Sequence, residues 1–278
     1  MKYELTTETK MVGPITLYRI KALESSYPIN EGDLGGWIEK ESNLSHEGDA
    51  WVYGNAEVSG HAKVYGYAQV YDHAQVYGNA QVYDHAKVYG YAQVYGNAQV
   101  SGNAQVYGNA KVYGEVRGNA LVYDHAQVYD HARVYDDAKV YGYAQVYGEV
   151  RGNALVYDDA KVYGYAQVSG NAQVYAHAQV YGNAQVYDHA KVYDHAEVSG
   201  HAKVYGEVCG NAEVYGSARV YDDAKVYGYA QVYGNAQVSG NAQVYGNAQV
   251  SGNAKVYDDA KNLRTAQKPH LYKELNIK

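Results

Sequence analysis

Val70-Tyr71-Asp72-His73-Ala74-Gln75-Val76-Tyr77-Gly78-Asn79-Ala80-Gln81-Val82 holds two copies of one six-residue unit. Valine stands at every sixth position from 52 to 112, and the same step resumes over 116–146, 150–204 and 208–256. Alanine follows four residues after nearly every such valine, as at Ala56, Ala62, Ala68 and Ala74. A helix cannot keep one face at a six-residue period, and glycine at most corners would be costly in it. A strand fits. Over a four-residue stretch A-x-V-Y, Ala and Val point one way, while Gln, Lys or Glu and the tyrosine point the other. The two residues left over, such as Gly-Asn, Asp-His or Gly-Tyr, form a tight bend that needs unusual dihedrals.

One such strand buries too little to stand alone, so the chain must coil and stack each hexad on a later one. With only Val and Ala inside, the interior is narrow, which suits three hexads, or 18 residues, per turn. Residues 51–260 then make about 11–12 coils of an all-β, three-sided, single-stranded parallel solenoid. Burial contributes ~1.5 kcal/mol or more per valine, enough for this architecture to need no ligand.

Composition narrows the function classes. Leu, Ile, Val and Phe make only 52 of 278 residues, a level at which disorder is the default expectation, but the fixed valine spacing overrides it. The net charge of −7 argues against a nucleic-acid surface, which needs clustered Lys and Arg. A single cysteine, Cys209, excludes a disulfide scaffold and a cysteine zinc cluster. No apolar run approaches the ~18–20 residues of a membrane helix, and Met1-Lys2-Tyr3-Glu4-Leu5 opens no apolar signal core. The expectation is a cytoplasmic protein with no membrane and no nucleic-acid partner.

Three places break the period, at Val112–Val116, Val146–Val150 and Val204–Val208, where V-Y-G-E-V shortens the step to four, as if Asn-Ala had been deleted. Losing two residues preserves the in-and-out alternation. These steps read either as tolerated slippage or as a groove that marks a site. Residues 1–50 hold Trp37 and most of the Leu and Ile, with Ile38 and Leu44 already six apart, and read as an N-terminal cap leading into the helix. From Lys261 the period ends, so 261–278, with Pro269 and Lys273-Glu274, read as a C-terminal cap or tail.

The hexads resemble the hexapeptide-repeat motif of left-handed parallel β-helix proteins, on the strength of Val52/Ala56 and nearly every later pair. Gly35-Gly36-Trp37-Ile38, Asn43-Leu44-Ser45 and Gly48-Asp49-Ala50-Trp51-Val52-Tyr53 look like the opening of the bacterial YdcK-like group. That resemblance implies a left-handed coil and, as the group is labelled, an acyltransferase that takes acetyl-CoA along a coil edge, commonly between subunits of a trimer. Such enzymes interrupt the coil with a loop that frames a catalytic histidine. Here nothing is inserted between 52 and 260, so no residue can be assigned as catalytic by resemblance.

Nine of the eleven histidines share the second corner slot with Asn, Tyr, Asp, Ser and Glu, an interchange typical of a solvated bend. An 18-residue coil would stack His177 on His195 beside Asp194, a weak candidate metal site with no third ligand specified. The acid pairs, such as Asp136-Asp137 and Asp258-Asp259, read as solvated corners. Tyrosine follows the repeat valine 27 times, with Tyr65, Tyr71, Tyr77, Tyr83, Tyr89 and Tyr95 in one unbroken run. Outward tyrosine ladders either stabilise the coil or form a recognition surface. The first reading is therefore a non-catalytic structural or binding solenoid that needs no cofactor and presents Tyr/Gln ladders to a protein or glycan, with self-association open. The alternative is the acetyl-CoA-dependent acyltransferase.

Overall fold

The computed structural model describes residues 1–257, residue 260, and the backbone of two short strands, Thr265–Ala266 and Leu271–Tyr272. The Asp258-Asp259 pair and the rest of the 261–278 tail lie outside the described residues. The chain divides into two compact units, Met1–Asp137 and Ala138–Lys278. Each is a three-sided parallel β-solenoid with ~18 residues per coil, and the two hold about twelve turns. Among the described residues the one helical element is a 3-10 turn, Glu41–Asn43.

In the first unit, Gln81–Val82 pairs in parallel with Lys63–Val64 on one side and Gln99–Val100 on the other. In the second, Gln167–Val168 pairs with Gln185–Val186 in the same way. Apart from Lys63–Gly66, the strands of the regular repeat are two residues long, shorter than the four expected. The bonding between coils is nevertheless longer than the strand. Gln69, Tyr71 and His73 donate their backbone N–H groups to the carbonyls of Ala86, Val88 and Gly90 at 2.9–3.0 Å. Ala74 N–H then closes the bend on the Tyr71 carbonyl at 3.3 Å. The bend ends strand geometry without ending the ladder, because its second residue still faces the next coil.

Every repeat valine from Val52 to Val256 is at most 1 % exposed, and the repeat alanines at most 2 %. The inward assignment holds along the whole repeat. The corner is asymmetric: its first residue has positive φ, as at Gly78 (73°) and Asp72 (60°), and its second does not. Glycine adopts that conformation freely and aspartate tolerates it. Aspartate adds a bond of its own. The carboxylates of Asp72, Asp84 and Asp222 accept the backbone N–H of Gly90, Gly102 and Gly240, one coil on, each at 3.1 Å.

The N-terminal residues cover the first coil of the first unit. Strand β1 (Tyr3–Val12) runs antiparallel to β2 (Ile15–Ala22), and β2 antiparallel to β3 (Leu34–Ile38). β3 then pairs in parallel with Glu57–Val58, so it is already a solenoid rung, as is β4 (Leu44–Gly48) against Lys63–Gly66. Ile38 and Leu44 are both buried, the first imperfect hexad seen in the sequence. Gly35 and Gly36 have a steric cause: a Cβ on either would lie 2.7 Å from a backbone oxygen, of Val52 or Ala56. Exposed carbonyls at this end are covered by side chains. Lys2 Nζ donates to Ala50 O at 2.7 Å, Tyr3 Oη to Leu44 O at 2.8 Å and Asn43 Nδ2 to Ala62 O at 2.8 Å. Desolvation lowers the pKa of Lys2 to about 8, with Asp49 and Glu24 opposing the shift.

Candidate functional site

The shortened steps are where the coil departs from its repeat. In V-Y-G-E-V the glycine takes the inward place of the alanine: Gly114, Gly148 and Gly206 are buried, without positive φ. Gln99 N–H donates to Gly114 O, and Lys191 N–H to Gly206 O, both at 3.1 Å, as other hexads donate to alanine. The missing residues are thus the corner pair itself, not Asn-Ala. Without that corner the neighbouring coil closes in. A Cβ on Gly114 would sit 2.5 Å from Ala132 O, and one on Gly148 2.5 Å from Ala166 O. Only glycine fits.

A missing corner leaves a notch between the corners above and below it. At Gly114, in the first unit, the notch has a volume of about 560 Å³ and lies between Asn97 and Asp130-His131. At Gly206, in the second unit, it has about 690 Å³ and lies between Asp188-His189 and Asp222-Asp223. The tyrosine preceding each of these steps leaves its parallel stack. Tyr113 meets Tyr95 at 66°, and Tyr205 meets Tyr187 edge-on at 86° with 3.8 Å between centroids. The two floors differ in charge. Glu115 faces Arg133 across the strands of the first and bonds Arg117 at 3.2 Å. In the second, Lys203 faces Arg219.

The six tyrosines singled out in the sequence do not share a surface. Tyr65 and Tyr83 lie on one face, Tyr71 and Tyr89 on the second, Tyr77 and Tyr95 on the third, stacked in pairs 4.8–5.3 Å apart. Successive hexads occupy successive faces, so the run in sequence is dispersed in space. The true ladders join every third hexad: Tyr71, Tyr89, Tyr107 and Tyr123 in the first unit, Tyr141, Tyr157, Tyr175 and Tyr193 in the second. Stacked tyrosines also donate their hydroxyls to glutamines of the next coil, Tyr89 to Gln105 and Tyr163 to Gln179 at 3.1 Å. Desolvation, then the neighbouring phenols, raises the pKa of Tyr71 and Tyr157 to about 12.

His177 and His195 do stack, with rings 5.0 Å apart and 12° from parallel. Asp194 is turned away from them, accepting the Gly210 N–H at 3.2 Å, and the carboxylate facing His177 is Asp159, at 3.7 Å. Among the described residues no group of three or more His, Cys, Asp or Glu is placed to hold a metal ion.

Two features escaped sequence reasoning. His46 stacks on Tyr3 at 4.3 Å with both ring nitrogens buried and unpartnered among the described residues. The signal was available, because His46 is one of only two histidines off the corner slot. The second feature is the place of Cys209, which stands where the ladder above Tyr193 would carry a tyrosine. Tyr193 hydrogen-bonds Glu207, which Lys225 pairs at 2.8 Å. Burial alone would raise the Glu207 pKa, but the bonds from Lys225 and Tyr193 outweigh it and hold the carboxyl below its ordinary value. Burial pushes the Cys209 thiol up, the opposite of an activated nucleophile.

Fold and sites together define a parallel β-solenoid repeat protein. The family model for the YdcK β-solenoid repeat matches residues 80–96, 92–106, 98–114, 126–142, 218–234, 230–246 and 236–252. No curated protein matches the chain. No helix among the described residues is long and apolar enough to cross a membrane.

Proposed function

We propose that this chain is a non-catalytic binding solenoid that presents its outer faces and corner notches to a protein or glycan partner in the cytoplasm. The observation that carries this reading is the pair of notches at Gly114 and Gly206, recesses of about 560 and 690 Å³ cut into otherwise self-paired ladders. Along the tyrosine ladders the outward groups bind one another, tyrosine on tyrosine and hydroxyl on glutamine, whereas the notches are recesses open to a ligand. The shifted thiol of Cys209 and the turned carboxylate of Asp194 weigh against group transfer as the role of this surface.

The test is calorimetry with acetyl-CoA beside an immobilised panel of glycans and of peptides. Selective retention by the panel, with no heat from acetyl-CoA, is the expected result. Saturable acetyl-CoA binding with turnover would replace this reading with that of an acyltransferase.

A further inference from the structure

The notch at Gly206 has a floor unlike any other part of the described surface. Lys203 and Arg219 face each other across adjacent strands, the one such pair of cations among the described residues. Like charges directly opposite destabilise a sheet. Neither side chain lies within ion-pair distance of a carboxylate among the described residues, although Asp188, Asp222 and Asp223 line the same recess. Lys225, one hexad further on, is by contrast paired to Glu207 at 2.8 Å. At the shortened step of the first unit the residue in the place of Lys203, Lys111, faces the neutral Gln127. The cost at Lys203 and Arg219 coincides with the larger notch, where a bound anion could offset it.

The rim says which anion. Asp188 and Asp222-Asp223 border the recess above and below, with Gln237 beside them. A run of like-charged acidic groups would meet this rim unfavourably, whereas hydroxyl donors would find acceptors there. Tyr205, turned out of its stack, and Tyr221 supply ring surface between rim and floor. A cationic floor, acceptor walls and aromatic flanks match a sugar ring that carries one carboxylate and several hydroxyls. We infer that the Gly206 notch binds a uronic-acid residue of an acidic saccharide. Arg219 and Lys203 take the carboxylate, Asp188 and Asp223 accept ring hydroxyls, and Tyr205 and Tyr221 cover the apolar ring face. Charge-assisted bonds from a guanidinium are the strong ones in such a site.

This inference rests on the binding reading of the chain. Its test is calorimetry of the full chain with an oligogalacturonate, with the uncharged galactose oligomer and with inorganic sulfate. Saturable binding of the oligogalacturonate alone is expected. Arg219→Gln and Lys203→Gln should each weaken it at least about tenfold, while Lys161→Gln, on another face, should not; circular dichroism confirms that each variant is folded. Equal binding of the neutral oligomer, or binding indifferent to both floor variants, would overturn this site while leaving a glycan-binding solenoid standing. Sulfate or a polyglutamate peptide binding as tightly would overturn the saccharide assignment. No binding of any probe by the folded chain would overturn the inference outright.

Discussion

Gly114→Ala adds one methyl group where nearly every other hexad already carries it, yet it should be among the more costly small changes in the first unit. In an ordinary hexad the two-residue corner spaces the inward alanine from the coil above. At the shortened step that spacing is gone, and the new Cβ would lie 2.5 Å from Ala132 O and 3.3 Å from Val128 Cγ1. The near atom is backbone, fixed by its own bond to Glu115 N–H at 2.9 Å, so no rotamer change relieves the contact. Overpacking of this kind costs about 1–3 kcal/mol. A glycine-to-alanine change in an unstrained site would instead stabilise by about 0.4–1 kcal/mol through the unfolded chain, so the sign itself is diagnostic. For a unit of this size the melting temperature should fall by roughly 3–15 °C, read by far-UV circular dichroism. The decisive companion restores the corner by inserting Gly-Asn between Tyr113 and residue 114 in the alanine variant. It makes a full hexad and should recover the wild-type melting temperature. An unchanged or raised melting temperature for Gly114→Ala alone, or no recovery on insertion, would refute the placement of this glycine in the alanine slot.

Three further outcomes follow from the same geometry. Val186→Asp puts an unpaired charge at a fully buried position; it should cost about 3 kcal/mol or more, seen as loss of the cooperative melt, and a wild-type melt would show the inward assignment to be wrong. Asp72→Ala keeps the φ of 60° and deletes the acceptor of Gly90 N–H, costing about 1–2 kcal/mol, whereas Asp72→Gly sheds the strain and should melt closer to wild type; equal losses would exclude backbone strain as a cause. Tyr71 and Tyr157 have folded pKa values of about 12 against an ordinary 10.0. Because the folded value is raised, their contribution is fully present below about pH 10 and is lost as pH climbs from 10 through 12; phenolate absorbance should therefore rise later in the folded protein than in urea, and coincident curves would contradict it.

The period of valine and alanine determined the fold class by itself, because alternation of side chains along a strand is a local property. Six-residue spacing sends the same two residues inward wherever the strand lies, so the buried set was legible residue by residue. The need for glycine or aspartate at the bend was legible too, though only the backbone showed that the first corner residue alone takes positive φ. What shares a face was not legible from neighbours in sequence. Tyr65 through Tyr95 look like one surface in the chain and lie on three, since each corner turns the next hexad onto a new side. The shortened steps likewise read as a lost Asn-Ala until Gly114 and Gly206 were seen in the alanine slot. Lys203 and Arg219, sixteen residues apart, face one another only because the short step removes two residues from that coil. Which groups meet across coils depends on how many residues each turn consumes, and that number is set by the closing of the turn against its neighbours rather than by any single hexad.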